Sequence, residues 1–154
     1  MKRETTRFGT IDVPPEQIIN FPQGLPGFGK LREFFFVPVP ENHCFAWLQS
    51  ANAPEVAFLV TDPFVFRSDY EVHLGQSELD FLQITKPEEV SVHVIVRIPP
   101  TGEAEDITAN FLAPVVINNR TKLGCQIVLE GIGYPVRELL FKSSDGAKRR
   151  EGGR

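Results

Sequence analysis

The chain has 154 residues, of which 42% are hydrophobic, and a net charge of −4, which suits a single domain with a buried core. No stretch approaches the roughly 18 consecutive apolar residues of a membrane span, and the charged start, Met1 to Arg7, lacks the apolar segment of a signal peptide. Because the two cysteines, Cys44 and Cys125, have no metal-like spacing and do not suggest a disulfide framework, we expect a protein of the reducing cytoplasm.

Short β-like runs divide the chain, since its 13 prolines and 12 glycines leave little room for long helices. In chain order the runs lie at residues 11–13, 17–21, 31–39, 45–49, 56–61, 90–98, 114–118 and 125–130. The clearest is 90–98, where valines alternate with other residues at the period of a half-buried strand. Pro38 predicts that its strand ends, bulges or lies at an edge there.

One short helix is predicted, with Ser77 as N-cap, Asp80 at the third position and Lys86–Pro87 as its end. Leu79 and Leu82 would face the sheet. The spacing of the strands is typical of an antiparallel sandwich or barrel and disfavours a parallel βαβ sheet. We predict an all-β, mostly antiparallel, barrel-like single domain over residues 1–141 with this one short helix. A flexible basic tail is expected at 142–154, because it has no apolar side chain larger than alanine.

Acidic residues are concentrated in the middle of the chain. Residues 41–106 contain 12 acidic and three basic residues, a local net charge of −9. Phosphate backbones repel such a body, so we predict that the domain does not bind nucleic acid directly. The acidic stretch is either a solubilising surface or a docking face for a basic partner. A weak direct contact between the basic tail and RNA is a further alternative.

No catalytic or metal-binding pattern is evident. His43, His73 and His93 lack the spacing of a metal site, and His93 lies opposite the valines of its strand, where we expect it to face solvent. The chain has no Gly-x-Ser-x-Gly motif, and the glycines of residues 24–29 are interrupted by proline and lack the Ser or Thr of a phosphate-binding loop. We expect neither enzyme activity nor a cofactor.

Three segments are distinctive: Phe-Pro-Gln-Gly-Leu-Pro-Gly-Phe at 21–28, Phe-Ala-Trp-Leu-Gln-Ser at 45–50, and Asn-Phe-Leu-Ala-Pro-Val-Val-Ile-Asn at 110–118. The first combines the fixed φ of proline with the freedom of glycine and predicts a loop of single shape. All three are either core strands with their turns or an exposed apolar and amide surface that captures a partner.

In this order the segments resemble the flagellar assembly factor FliW family over about residues 5–141. The resemblance also includes Ala57-Phe58, Asp62-Pro63, Tyr70, Gln126 and residues 134–137. Phe111 departs from it, since a smaller aliphatic residue is expected there. The resemblance implies a barrel-like bacterial cytoplasmic protein that binds flagellin as a chaperone and also binds the translational regulator CsrA, an RNA-binding homodimer. When flagellin is secreted, the freed protein sequesters CsrA and relieves repression of flagellin synthesis.

These partners suggest two sets of binding residues. An RNA-binding regulator presents basic surface, so we expect acidic residues to face CsrA, namely Asp62, Asp69, Glu71, Glu103, Glu105 and Asp106. Flagellin ends are amphipathic helices that need an apolar patch, for which we expect Asn110, Phe111, Leu112, Ala113, Pro114 and Val115, unless their alternate side chains are core. We expect a monomer when free. The alternative is a β-barrel that binds a small ligand or an unrecognised hydrolase.

Overall fold

A computed structural model describes residues 1–141, which form 11 short strands and two short α-helices. The strands are β1 (Lys2–Thr5), β2 (Gly9–Asp12), β3 (Ile19–Asn20), β4 (Glu33–Pro38), β5 (Phe45–Ser50), β6 (Ala57–Thr61), β7 (Val90–Arg97), β8 (Thr108–Ala109), β9 (Val115–Asn118), β10 (Leu123–Gln126) and β11 (Glu138–Leu139). The helices are α1 (Pro63–Phe66) and α2 (Gln76–Phe81). The predicted tail at 142–154 lies outside the described residues.

Seven of these strands close into a barrel in the order β7-β6-β5-β4-β3-β10-β9, and β9 pairs back to β7. Neighbours are antiparallel except β3 and β10, which are parallel and meet at the single pair Asn20 and Leu123. The strand β8 pairs with the last two residues of β7, whereas β9 pairs with the first four. The other edge of β8 pairs with β11. The strands β1 and β2 form a separate hairpin. The prediction of a mostly antiparallel, barrel-like β domain is confirmed.

The core lies on both faces of the sheet. Successive residues of a strand point to opposite faces, yet Phe34 and Phe35 of β4 are both buried. Phe34 packs in a cluster with Phe21 and Leu48, whereas Phe35 packs with Val13 near the β1–β2 hairpin. Strands buried in this way lose the clean alternation of a sheet with one wet face.

The burial of both faces also explains why one prediction was wrong. His93 was expected to face solvent, but its ring packs against Phe36 with 5.0 Å between ring centroids. Burial disfavours the charged imidazolium and lowers the pKa of His93 to about 4.

The predicted helix is present, but its N-cap is Gly75 and not Ser77. The Gly75 N–H donates to Glu78 Oε1 at 2.7 Å, which gives the helix the acidic half of a capping box. The helix ends at Phe81, well before Lys86, because the backbone turns at Gln83, where φ is +57°. Leu82 is fully buried, as expected for a residue facing the sheet.

The second helix, α1, was not predicted. Asp62 is its N-cap and accepts a hydrogen bond from the Phe64 N–H at 2.9 Å, and Pro63 occupies the first turn. Because α1 begins immediately after β6, the Asp-Pro pair ends that strand at Thr61. The strand β4 ends at Pro38, as predicted. Over the described residues, the helices are all too short to cross a bilayer.

Candidate functional site

A five-residue insertion beside β7 forms the first candidate surface. Ala109 pairs with Val96 and Val115 pairs with His93, so residues 110–114 lie opposite only two residues of β7. A strand cannot fit five residues into that length, so the chain bows away from β7. On its other side the Ile127 and Leu129 N–H groups still donate to the carbonyls of Pro114 and Leu112. We refer to residues 110–114 as the bulge.

Hydrogen bonds hold the bulge in one shape. Asn110 Oδ1 accepts from the backbone N–H groups of Leu112 and Ala113, both at 3.1 Å. Gln126 Nε2 donates to the Ala113 carbonyl at 2.8 Å. Tyr70 Oη donates to the Phe111 carbonyl at 2.6 Å within the core, where burial raises the pKa of Tyr70. These side-chain bonds add to backbone bonds that the bulge keeps, such as those from the Asn110 N–H to the Ile95 carbonyl and from the Phe111 N–H to the Pro135 carbonyl.

The loop at residues 24–28 is equally constrained. Gly24 has φ +67°, and a Cβ there would lie 2.6 Å from the Cα of Gly29. Only glycine allows both the conformation and this approach of two backbone segments. Leu25 is buried in the barrel core and anchors the loop.

The loop and the bulge face each other across a cleft of about 510 Å³, which we call the loop cleft. Buried Gln126 Oε1 accepts no hydrogen bond among the described residues. Val128, on the wall, is 56% exposed. The cleft is lined by Gln23, Gly24, Leu25, Pro26, Gly27, Gly29, Phe58, Ile95, Asn110, Ala113, Gln126 and Val128.

The bulge places the six predicted flagellin-binding residues in different environments. Phe111 and Val115 are fully buried, and Ala113 and Pro114 are buried as well, while Asn110 and Leu112 are half-buried. Phe111 packs edge-on against Tyr70 with 5.2 Å between ring centroids. The unusual phenylalanine is therefore a core residue. The bulge reaches the loop cleft through Asn110 and Ala113.

All six predicted CsrA-facing carboxylates are exposed, but they form separate groups. Asp62 and Glu71 lie at the same groove. Asp69 is ion-paired to Arg67 at 3.2 Å. The other three lie on or beside a 3-10 turn, Ala104–Asp106, between β7 and β8; they are Glu103, Glu105 and Asp106.

The groove beside Asp62 and Glu71 has a volume of about 1020 Å³. We call it the helix groove, because α2 and the segment that follows form one wall. Most of its side chains are apolar, and Asp62, Glu71, His73, Lys86 and His93 add ionisable groups. Its lining residues are Asp62, Phe64, Glu71, Val72, His73, Leu74, Leu79, Ile84, Thr85, Lys86, Pro87, Val90, Ser91, Val92 and His93.

One wall of the helix groove is fixed by Glu89. Its carboxylate accepts from the Thr85 N–H at 2.9 Å and from Arg120 Nε at 2.7 Å. The bond from the Thr85 backbone, with those from Arg120 and the Thr85 hydroxyl, lowers the pKa of Glu89 to about 2. The turn at Pro87–Glu89 is thereby tied to the β9–β10 connection.

A network around Arg67 was missed at the level of sequence. Arg67 Nη1 lies 2.6 Å from Glu138 Oε1, and its guanidinium lies over the ring of Tyr134 at 4.9 Å. Burial acts to lower the pKa of Arg67, but Glu138 and Asp69 outweigh it and raise that pKa. Arg67 and Glu138 are 71 positions apart in the chain, so no local pattern links them.

Metal binding and thiol reactivity are the remaining candidate chemistries. Within residues 1–141, no three His, Cys, Asp or Glu side chains are placed to hold a metal ion. The free thiol of Cys125 is buried, which raises its pKa to about 11 and keeps it protonated and unreactive near neutral pH. The loop cleft and the helix groove thus differ in character, since only the helix groove has several ionisable groups in its lining.

Comparisons with known proteins agree with one another. The model of the FliW protein family matches residues 2–140. The chain is 46% identical over 144 residues to the flagellar assembly factor FliW of Moorella thermoacetica, covering 94% of this chain and 90% of that protein. It is 39% identical to the FliW of Desulfitobacterium hafniense strain Y51 over the full length of both. A crystal structure of a flagellar assembly factor FliW superposes with a TM-score of 0.85 at 34% identity, covering 93% of this chain and 99% of that one.

Proposed function

The chain belongs to the FliW family of flagellar assembly factors, which are not enzymes, and from this we propose that it binds flagellin as a chaperone and, when released, binds and antagonises CsrA. The observation that carries the proposal is that one small barrel holds two grooves, of which only the helix groove has two of the predicted carboxylates at its rim. Flagellin would occupy the loop cleft and CsrA the acidic groove. The protein exchanges flagellin for CsrA in the cytoplasm, and it is a monomer when free of both.

Electrostatics support the assignment of the helix groove to CsrA. An RNA-binding protein presents basic surface to phosphate, and exposed Asp62 and Glu71 complement it. An acidic protein bound beside the RNA site of CsrA also repels RNA. Binding of this protein and binding of RNA to CsrA therefore oppose each other. CsrA bound in this way loses affinity for its messenger RNA.

Calorimetric titration of CsrA at increasing salt tests this part. We expect the affinity to fall with ionic strength and to drop about tenfold or more in Asp62→Lys/Glu71→Lys. The matched control is Glu103→Lys/Glu105→Lys, which makes the same charge change on the separate turn and is expected to have the smaller effect. Binding that is indifferent to salt and to both double variants would contradict the electrostatic argument.

Exposed apolar surface supports the assignment of the loop cleft to flagellin. Val128 presents a large apolar surface at the cleft, and Ala113 contributes from the bulge. Apolar positions of an amphipathic helix bury themselves in such a site. The predicted contacts Phe111 and Val115 act indirectly here, because they hold the bulge from inside the core.

Replacement of Val128 by aspartate tests the loop cleft without disturbing the core. Val128→Asp is expected to weaken flagellin binding about tenfold or more in a pull-down or titration, because a charge would then face apolar side chains. Val65, on α1, is also 56% exposed and lines neither groove, so Val65→Asp is the control. Ala113→Asp adds a further test: a folded protein that does not bind supports the cleft, whereas an unfolded one assigns Ala113 to the core alone.

The rival function, a β-barrel with a small ligand inside, conflicts with the packing. Phe21, Phe34 and Leu48 are fully buried in one cluster with residues of three other strands, so large side chains occupy the interior where such a ligand would sit. A pull-down from flagellated cells decides between the two: recovery of flagellin or CsrA supports the binder, and ligand-dependent melting without protein partners supports the rival.

A further inference from the structure

The barrel has an uncovered strand edge inside the helix groove. The strand β7 has eight residues, but β6 pairs with it only at Thr61–Val94 and Val60–Ile95. The Asp-Pro pair then turns the chain into α1. Among residues 1–141, no strand continues along that side of β7 from Val90 to His93.

The direction of the free backbone groups follows from the pairing on the other side. The Asn119 N–H donates to the Glu89 carbonyl at 2.8 Å, which places that carbonyl on the β9 side. Because backbone groups alternate along a strand, Ser91 and His93 also point to β9, whereas Val90 and Val92 point to the groove. The Val90 N–H is used by the Pro87 carbonyl.

Three strong backbone groups are therefore without a partner in the described part of the chain: the Val90 carbonyl, the Val92 N–H and the Val92 carbonyl. An added strand would pair with Val92 through two hydrogen bonds and with Val90 through a third.

The surroundings specify the side chains of that strand. Apolar groups such as Leu74, Leu79 and Ile84 line the groove, and Asp62 and Glu71 line it too. A segment with an apolar side chain on one face and a basic residue near the carboxylates complements both features.

We propose that the free edge of β7 accepts an extended segment of CsrA, about four residues long, which adds a strand beside Val90–His93 and directs a basic side chain to Asp62 and Glu71. This proposal rests on the proposed function, in which CsrA is the partner at the helix groove. Main-chain pairing supplies affinity in this mode, while the groove and its carboxylates supply specificity.

Amide hydrogen exchange with and without purified CsrA tests the proposal directly. The Val92 amide is expected to exchange at least about tenfold more slowly in the complex, because it gains an acceptor. The amides of Ser91 and His93 are internal references, since they already point to β9 and should be protected in both states. Val92→Pro removes the free donor at a position where the β9 ladder needs none, and it should weaken CsrA binding about tenfold, whereas Val92→Ala keeps the N–H and should bind nearly normally.

The outcomes distinguish strand addition at β7 from CsrA binding as such. CsrA binding with unchanged exchange at Val92 overturns the added strand and leaves the proposed function intact, even if Val92→Pro does not fold. No CsrA binding under any condition overturns both. In the absence of CsrA, exchange at Val92 that slows as the concentration of this protein rises shows that a second copy of the chain occupies the edge. That result overturns the proposal.

Discussion

Gly124 lies directly against the ring of Phe21, so a larger residue at position 124 would clash with that ring. A Cβ at position 124 would lie 2.6 Å from Phe21 Cε2, and the ring is fully buried. We expect Gly124→Ala to lower the free energy of unfolding by about 1–3 kcal/mol, because the core must shift to admit the methyl group. Urea denaturation measures the change.

Gly29→Ala is the matched control for this prediction. A Cβ at position 29 meets nothing within 4 Å, so its effect should stay within about 0.5 kcal/mol. Equal losses in the two variants would show that the Phe21 contact is not the cause.

His93 makes stability depend on pH. Its pKa falls from 6.5 to about 4 on folding, chiefly through burial, which the charge of Asp62 partly opposes. A lowered pKa means that the unfolded chain binds the proton more tightly. Stability is therefore complete above about pH 6.5 and is lost as the pH falls towards 4, by up to about 3 kcal/mol.

Unfolding free energies of the protein and of His93→Gln between pH 7.5 and 4 check this prediction. The substitution should flatten the pH dependence over that window, since glutamine does not titrate. An unchanged slope in His93→Gln would assign the pH dependence to other groups. The strand pattern placed His93 on the face opposite the valines, but only the fold reveals that Phe36, beside the main core cluster, packs against that face.

At the scale of elements, Asn118 joins the end of α2 to the barrel. Its fully buried side chain donates to the carbonyls of Leu82 and Gln83, and its Oδ1 accepts from the Arg120 N–H at 2.8 Å. We expect Asn118→Asp to lower the free energy of unfolding by about 3 kcal/mol, because a carboxylate would face two carbonyl oxygens without a donor.

The neighbouring Asn119 provides the same substitution at an exposed position. Asn119→Asp should change stability by less than about 0.5 kcal/mol in the same denaturation series. A small loss in Asn118→Asp would mean that α2 is held by its apolar contacts alone, of which Leu82 is the most buried.

The elements that sequence predicts well are those whose pattern is local. The alternation at 90–98 and the proline at 38 correspond to β7 and to the end of β4. The cap of α2 was misplaced because two overlapping three-residue spacings compete, Ser77–Asp80 and Gly75–Glu78. Glutamate is preferred at the third helical position, and it decides the register. The two-residue strands β8 and β11 are too short to carry any pattern.

The candidate sites could be predicted only as segments. Residues 110–118 are distinctive in sequence, but which side chains face outwards depends on a pairing register of two residues against five, and nothing local encodes it. Asp62 and Glu71 were predicted among six carboxylates; that these two share a groove follows from α1 and the barrel. The free edge at Val92 exists because β6 ends early, which requires the topology.

At the scale of the whole molecule, residues 1–141 should be a complete folding unit. The core clusters draw on residues from Ile11 to Leu140, and Phe141 packs against Phe66 at 5.7 Å between ring centroids. Because residues 142–154 contain no apolar side chain larger than alanine, we expect the unit to be stable without them.

Truncation after Phe141 tests this unit. The melting temperature of the truncated protein should stay within about 2 °C of that of the full chain, as measured by circular dichroism. A decrease of more than about 5 °C would show that the tail contributes to the folded domain. The same variant, tested for RNA binding, decides whether the basic tail contacts RNA.

The single parallel pair of the barrel, Asn20 with Leu123, has a kinetic consequence. The two residues are roughly one hundred positions apart, and the seven-stranded ring closes only when this contact and the pairing of β9 with β7 have formed. Closure between distant positions must overcome a large loss of chain entropy before native contacts reward it, so such topologies fold in milliseconds to seconds. A partner that binds only the closed ring therefore has to wait for this step in each newly made chain.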